Sequence, residues 1–307
     1  MASETRRLSE PSNLLSALGA FQRLSPKGKG WLPRKIGKIL SDENKHYMRT
    51  KHGAKLVLSP SAFDVYASMW SRGRAWDYED FRICLASIPE GGVFYEVGAN
   101  VGYFAIEAAW LKRGATIHAF EPQSELARAI TASARLNGLD GVHVHDVLVG
   151  DSVAERTLYL AAATIHASAV ADSGRSPRES IPKQMVSLDS LSDLPQPDFV
   201  KMDVEGSEAL VFAGGHRLLR EAKPHIFLEY MSYYDPGERI RKAVEELAAD
   251  VAEYKIMGIP NLPARETRKT LFFPIEREEE WTEVHGIYLW NMSRPLADPT
   301  LLSWNVE

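Results

Sequence analysis

Residues 93–107 read VFYEVGANVGYFAIE: an apolar run, an acid, two glycines and an asparagine, then a second apolar run. VFYEV is short and rich in branched and aromatic side chains, as a buried strand would be. Beyond it Val101, Phe104, Ala105, Ala108 and Leu111 recur every three or four residues, one face of a helix. Lys112 and Arg113 fall where cations complement the helix dipole, and Gly114 can end the helix. Bare backbone at a strand-to-helix turn lets a ligand approach the main chain. The spacing narrows which ligand. It is E-x-G-x-N-x-G over Glu96, Gly98, Asn100 and Gly102, not the G-x-G-x-x-G that serves a pyrophosphate. Tyr103 and Phe104 stand where a pyrophosphate needs small residues, so a nucleotide-like ligand without phosphates fits better.

Outward from this turn the pattern alternates. ATIHAF reads as a strand, Ser124–Asn137 as a helix stopped by Gly138, and VHVHDV as a third strand. Strand–helix–strand–helix–strand is half of a doubly wound parallel sheet. ERTLYLA and KQMVSL are extra strands on either side of a polar loop, Ala162–Pro182. DFVKMDVEG, a helix from Ser207, HIFLEY and a helix from Gly237 to Ala249 resume the alternation. EYKIMGI, TLFFPI and GIYLWNM are the last strand candidates and suit an antiparallel closing edge. Upstream, Ala62–Trp70 and Asp77–Ile88 are amphipathic. The chain divides into a basic extension (1–50, with a short helix at Asn13–Phe21), a helical lid or flank (51–90), a catalytic domain (91–295) and a tail (296–307).

Composition is that of an ordinary globular protein, 45% hydrophobic and 25% charged over 307 residues. A single cysteine, Cys84, excludes an internal disulfide framework and points to a reducing compartment. There is no apolar run long enough to span a bilayer and no secretory-type apolar segment near the start, so a cytoplasmic location is expected. Residues 1–40 hold eight Lys/Arg against Glu4 and Glu10, which leaves the remainder more acidic than the overall −5. An acidic body disfavours nucleic acid as a partner. The basic arm is either solvated or a peripheral contact for an anionic membrane surface. Apolar edge strands near the C-terminus would suit a homodimer.

In a doubly wound sheet, ligands lie beyond the carboxyl ends of the strands. The second strand ends at Glu121, 19 positions after Gly102, where a carboxylate accepts hydrogen bonds from ribose hydroxyls. That rule serves NAD and S-adenosylmethionine equally. The third strand ends at Asp146, a partner for an adenine amino group or a surface acid. The fourth ends in KMDVEGSE, bringing Asp203, Glu205 and Glu208 with Gly206, and the fifth adds Glu229 and Tyr230. Clustered acids suit a sulfonium cation or proton removal from a hydroxyl, with a divalent metal as the rival explanation. The candidate bases are Asp203, Glu229 and His166, the last because its loop could fold over the site. His118, His143 and His145 read as packed strand residues, and His225 begins its strand, at the wrong end for chemistry. Trp70 and Trp76 read as core or lid.

FYEVGANVGYFAIEAA, HAFEPQSELARAITASARLNG, DVLVGD, FVKMDVEGSEALVFAGG and KPHIFLEY, in this order over about residues 80–235, together resemble the FkbM family of S-adenosylmethionine-dependent methyltransferases. The resemblance implies a class I methyltransferase-like fold: a mostly parallel, seven-stranded doubly wound sheet with an antiparallel closing strand. It also implies O-methylation of a hydroxyl on a sugar, glycan or natural product. Gly98, Asn100 and Gly102 would lie against the amino-acid part of the cofactor, Glu121 against its ribose, and Asp203 near its methylsulfonium end. The expected cradle is Glu96, Gly98, Ala99, Asn100, Gly102, Glu121, Asp146 and Asp203, with no metal. Glu96 departs from the family's usual Asp. Rival readings are an NAD-dependent oxidoreductase and a protein that keeps the fold without catalysis.

Overall fold

The computed structural model describes residues 46–72, 78–160, 167–168, 179–230, 235, 237–260 and 272–302. The basic arm with Asn13–Phe21, Trp76, His166 and most of the polar loop lie outside the described residues.

In chain order the strands are β1 (Tyr47–Arg49), β2 (Lys55–Val57), β3 (Val93–Val97), β4 (Thr116–Phe120), β5 (Val142–His145), β6 (Leu148–Val149) and β7 (Ala154–Leu160). They continue as β8 (Ala167–Ser168), β9 (Glu179–Val186), β10 (Phe199–Met202), β11 (His225–Glu229), β12 (Tyr254–Pro260), β13 (Phe273–Pro274) and β14 (Val284–Asn291). The α-helices are α1 (Phe63–Arg72), α2 (Tyr78–Ser87), α3 (Tyr103–Leu111), α4 (Ser124–Asn137), α5 (Glu208–Ala222) and α6 (Arg239–Asp250).

The main sheet has the order β13-β12-β14-β11-β10-β3-β4-β5. From β5 to β11 every pair is parallel, whereas β14 runs antiparallel between β11 and β12. This is the doubly wound sheet with an antiparallel closing strand that the alternation predicts, plus the two-residue edge strand β13. Both faces are buried, which is why the central strands read as near-continuous apolar runs. Phe94, Ala119, Phe199 and Phe227 face a core shared with α1 to α4. Tyr95, Val97, Phe120, Val200, Met202, Ile226 and Leu228 face the core under α5 and α6.

The chain reverses its winding at β3. From there it steps through β4 to β5 on one side and through β10 to β11 on the other, so the ends of β3, β4 and β10 are neighbours at one edge. The extra strands predicted around the polar loop form a separate sheet, β6-β9-β7-β8, in which β7 and β9 pair antiparallel.

The β1–β2 hairpin straddles residue 50 and is tied to two helices. The Val57 N–H donates to Ser133 Oγ (2.8 Å), the Lys55 N–H to Asn137 Oδ1 (2.9 Å), and Thr50 Oγ1 to Glu107 Oε2 (2.8 Å). Among the described residues no helix is long and apolar enough to cross a membrane.

Candidate functional site

The turn after β3 is clamped from both sides. Gly98 and Ala99 donate their N–H groups to the Phe120 carbonyl at the end of β4, both at 3.0 Å, and the Asp203 N–H donates to the Val97 carbonyl at 3.0 Å. Gly98 has φ +84°, and a Cβ there would stand 1.9 Å from the Asp203 carbonyl oxygen. Only glycine permits both the angle and the approach. Gly102, at φ +76°, precedes α3, and a Cβ there would meet Ile130 Cγ1 at 2.7 Å. Asn100 holds a left-handed φ of 52° between them.

Two buried carboxyl groups support the turn. Glu96 accepts the Ala105 N–H at 2.8 Å, answering one of the unbonded donors of the first turn of α3. Burial pushes its pKa up to about 8, with Lys201 the main opposing charge. Glu121 accepts the Asn100 N–H at 2.7 Å on one oxygen and the Gln123 N–H at 2.8 Å on the other. Burial lifts Glu121 to about 7 against those two bonds. Each carboxylate oxygen has a second lone pair, so Glu121 can still accept from a hydroxyl. The Asn100 side-chain oxygen is buried with no hydrogen-bond partner among the described residues. Such an atom fits a donor arriving with a ligand.

Asp146, just past β5, is hydrogen-bonded by Lys183, whose Nζ also donates to Ser124 Oγ at 2.9 Å. Beside it an open cavity of about 660 Å³ runs between α4 and β5, lined by Ala127, Arg128, Thr131 and Val144 among others. The glycine turn does not line that cavity.

On the other flank of β3, Asp203 leaves β10 and Glu229 ends β11. The carboxylates of Asp203, Glu205 and Glu229 offer oxygens within 4.8 Å of one another, close enough to share a divalent cation or face a diffuse positive charge. Their loop is strained: Glu205 has φ 53°, a region unfavourable for side chains of its size, followed by Gly206 at φ 90°. Glu208 holds the loop from below, accepting the Val204 N–H at 3.0 Å and the Gly206 N–H at 3.4 Å. Burial raises its pKa to about 7.

The histidines behave as packed residues. His118 Nδ1 and His145 Nε2 are 3.0 Å apart in a stack that includes His143, and burial lowers His118 to about 4. His225 is buried at the start of β11, away from the crevice.

Two features escaped the reading of the sequence. Lys201, two residues before Asp203 on β10, donates to Asp203 Oδ2 at 2.9 Å; the period-two alternation of a strand was the available signal. His285, beside the end of β11, has Asp80 at 3.2 Å and the Pro260 carbonyl at 3.0 Å on its two ring nitrogens. No spacing in the sequence connects those three.

The Methyltransferase FkbM domain matches residues 96–254, more than half of the chain. No curated protein matches in sequence. Similar solved structures include the methyltransferase FkbM of Methylobacillus flagellatus KT (14% identity, 75% of this chain and 53% of that one, TM-score 0.47). This chain thus spans about half the length of that relative. Others are the precorrin-6y C5,15-methyltransferase of Geobacter metallireducens GS-15 (17%, 71% and 89%, 0.39) and a SAM-dependent O-methyltransferase of Thermotoga maritima (14%, 84% and 82%, 0.39). The E-x-G-x-N-x-G turn and the KMDVEG strand end both lie inside the matched segment, and the chain belongs to the FkbM methyltransferase family.

Proposed function

We propose that the protein binds S-adenosylmethionine at the β3 turn and methylates a hydroxyl of a sugar, glycan or natural product. One observation carries the reading: Glu121 and Asp203 flank the Gly98 turn at the carboxyl end of the sheet, each one residue past a strand that neighbours β3. Glu121 would accept the ribose hydroxyls, and the unbonded oxygen of Asn100 would meet the ammonium of the amino-acid part. Gly98, Ala99 and Gly102 would let that part lie against the main chain, with Glu96 bracing the turn from behind and Asp146 reaching toward the adenine.

When bound, the cofactor supplies a methyl group already activated by a sulfonium. What is left to the protein is alignment and a proton acceptor. Asp203 is the first candidate to take the hydroxyl proton, with Glu229 beside it and His166 from the loop as further candidates. The same acids offset positive charge in the crevice. Residues 51–90 would serve as the flank or lid over the acceptor, and the basic arm as a peripheral contact for anionic membranes.

The test is incubation with methyl-labelled cofactor and a panel of cell-envelope glycans and small glycosides. Label in a base-stable ether linkage supports the reading; label on nitrogen, or none on any fraction, overturns it. A thermal-shift comparison of S-adenosylhomocysteine with NAD separates the oxidoreductase alternative, for which only NAD would stabilise the protein.

A further inference from the structure

The most telling unassigned feature is a buried cation behind the acidic rim. Lys201 is only 3% exposed, on the face of β10 that packs against α3. Its Nζ donates to Asp203 Oδ2 at 2.9 Å and lies 4.7 Å from the ring centroid of Phe104, in the first turn of α3. Across the parallel ladder it is in register with Glu96. A lysine this deep is costly unless its charge is compensated. Among the described residues Glu96, Asp203 and the buried Cys84 thiol face it, while Asp203 in turn faces the carboxyls of Glu205, Glu208 and Glu229, whose negative charge the ammonium opposes. Burial keeps Glu96 protonated up to about pH 8 and holds the Cys84 thiol well above its ordinary value. Near neutral pH, the carboxylate bonded to this ammonium is therefore that of Asp203.

We propose that Lys201 is a positioning residue for methyl transfer: its ammonium fixes Asp203 Oδ2 and keeps that carboxylate ionised, ready to take the hydroxyl proton. This rests on the functional reading above, in which Asp203 acts on the acceptor. The cation–π contact with Phe104 gives the lysine a fixed seat. A lysine so seated orients Asp203 better than a fully exposed partner would, because the ammonium itself is held in place.

The first measurement needs neither cofactor nor acceptor. The Asp203 carboxyl is titrated by carbon-13 NMR, its signal assigned by loss in Asp203→Asn. In Lys201→Met the midpoint is expected to rise by about one pH unit or more; an unchanged midpoint overturns the proposal. If Lys201→Met does not fold, the double variant Lys201→Met/Glu96→Gln, in which the facing carboxyl cannot ionise without its cation, carries the same measurement. With an acceptor in hand, the acid limb of kcat/KM in Lys201→Met should move upward by the same interval, while Lys201→Arg stays near wild type. A limb that stays put sinks the catalytic role. Failure of the wild-type protein to take up S-adenosylhomocysteine would instead overturn the functional reading, and the NMR titration would still decide whether the ion pair exists.

Discussion

The Cα of Gly98 sits so close to β10 that a methyl group added there would lie 1.9 Å from the carbonyl oxygen of Asp203. The turn that would hold the cofactor and the loop that carries the acids are thus in van der Waals contact. Gly98→Ala should cost about 1–2 kcal/mol for the left-handed angle and about 1–3 kcal/mol more for the collision. Urea unfolding would measure it. Wild-type stability in this variant would mean that the turn can relax away from Asp203.

Asp203→Asn removes the proposed proton acceptor while keeping the shape of the side chain. Single-turnover transfer should slow by on the order of 10²–10⁴-fold, and affinity for S-adenosylhomocysteine should change little. Calorimetry and rapid quench report the two quantities separately. An unimpaired rate would remove Asp203 from the chemistry.

The proposed role of Glu121 predicts a pH dependence of binding. Burial pushes its carboxyl up to about 7, and ribose hydroxyls in the proposed site would donate more strongly to the ionised form. Affinity for S-adenosylhomocysteine should therefore improve from pH 6 to pH 8, by about fivefold to tenfold. Glu121→Gln should bind weakly at both values, with the slope gone.

Glu96 sets an opposite trend in stability. Its pKa rises from 4.5 to about 8 on folding, so between those values the folded chain keeps a proton that the unfolded chain releases. The contribution of this site to stability is greatest on the acid side and declines as pH rises through that window. Glu96→Gln cannot ionise, so its stability relative to wild type should climb between pH 5 and pH 8. Thermal melts of the two proteins at matched pH give the comparison, and parallel curves would contradict it.

The acidic trio allows a clear test of metal dependence. If Asp203, Glu205 and Glu229 act on the acceptor and the sulfonium directly, chelation with EDTA should leave transfer unchanged. Loss of activity on chelation, restored by magnesium, would assign those carboxylates to a cation instead.

What the sequence made legible follows from burial. β3, β4, β10 and β11 are covered on both faces, so their apolar runs stand out, and the residues ending them could be named as rim positions before any coordinates. Glu96, Gly98, Glu121 and Asp203 do meet around one turn. The β1–β2 hairpin was not legible, because two strands of three residues are too short to show a period. The Lys201–Asp203 pairing follows from the period of one strand, but the register of Lys201 with Glu96 and the Asp80–His285 contact depend on which elements become neighbours. Local pattern carries no such information. The strain at Glu205 was hidden for a related reason: nothing in a glutamate announces a left-handed backbone.

The position of β14 also bears on how the chain is made. This strand is inserted between β11 and β12, so β12 cannot join the main sheet until β14, later in the chain, has been made. The strands and turns that bring Gly98, Glu121 and Asp203 together lie upstream, between Val93 and Glu229, and can assemble during synthesis while the closing edge still waits for its central piece.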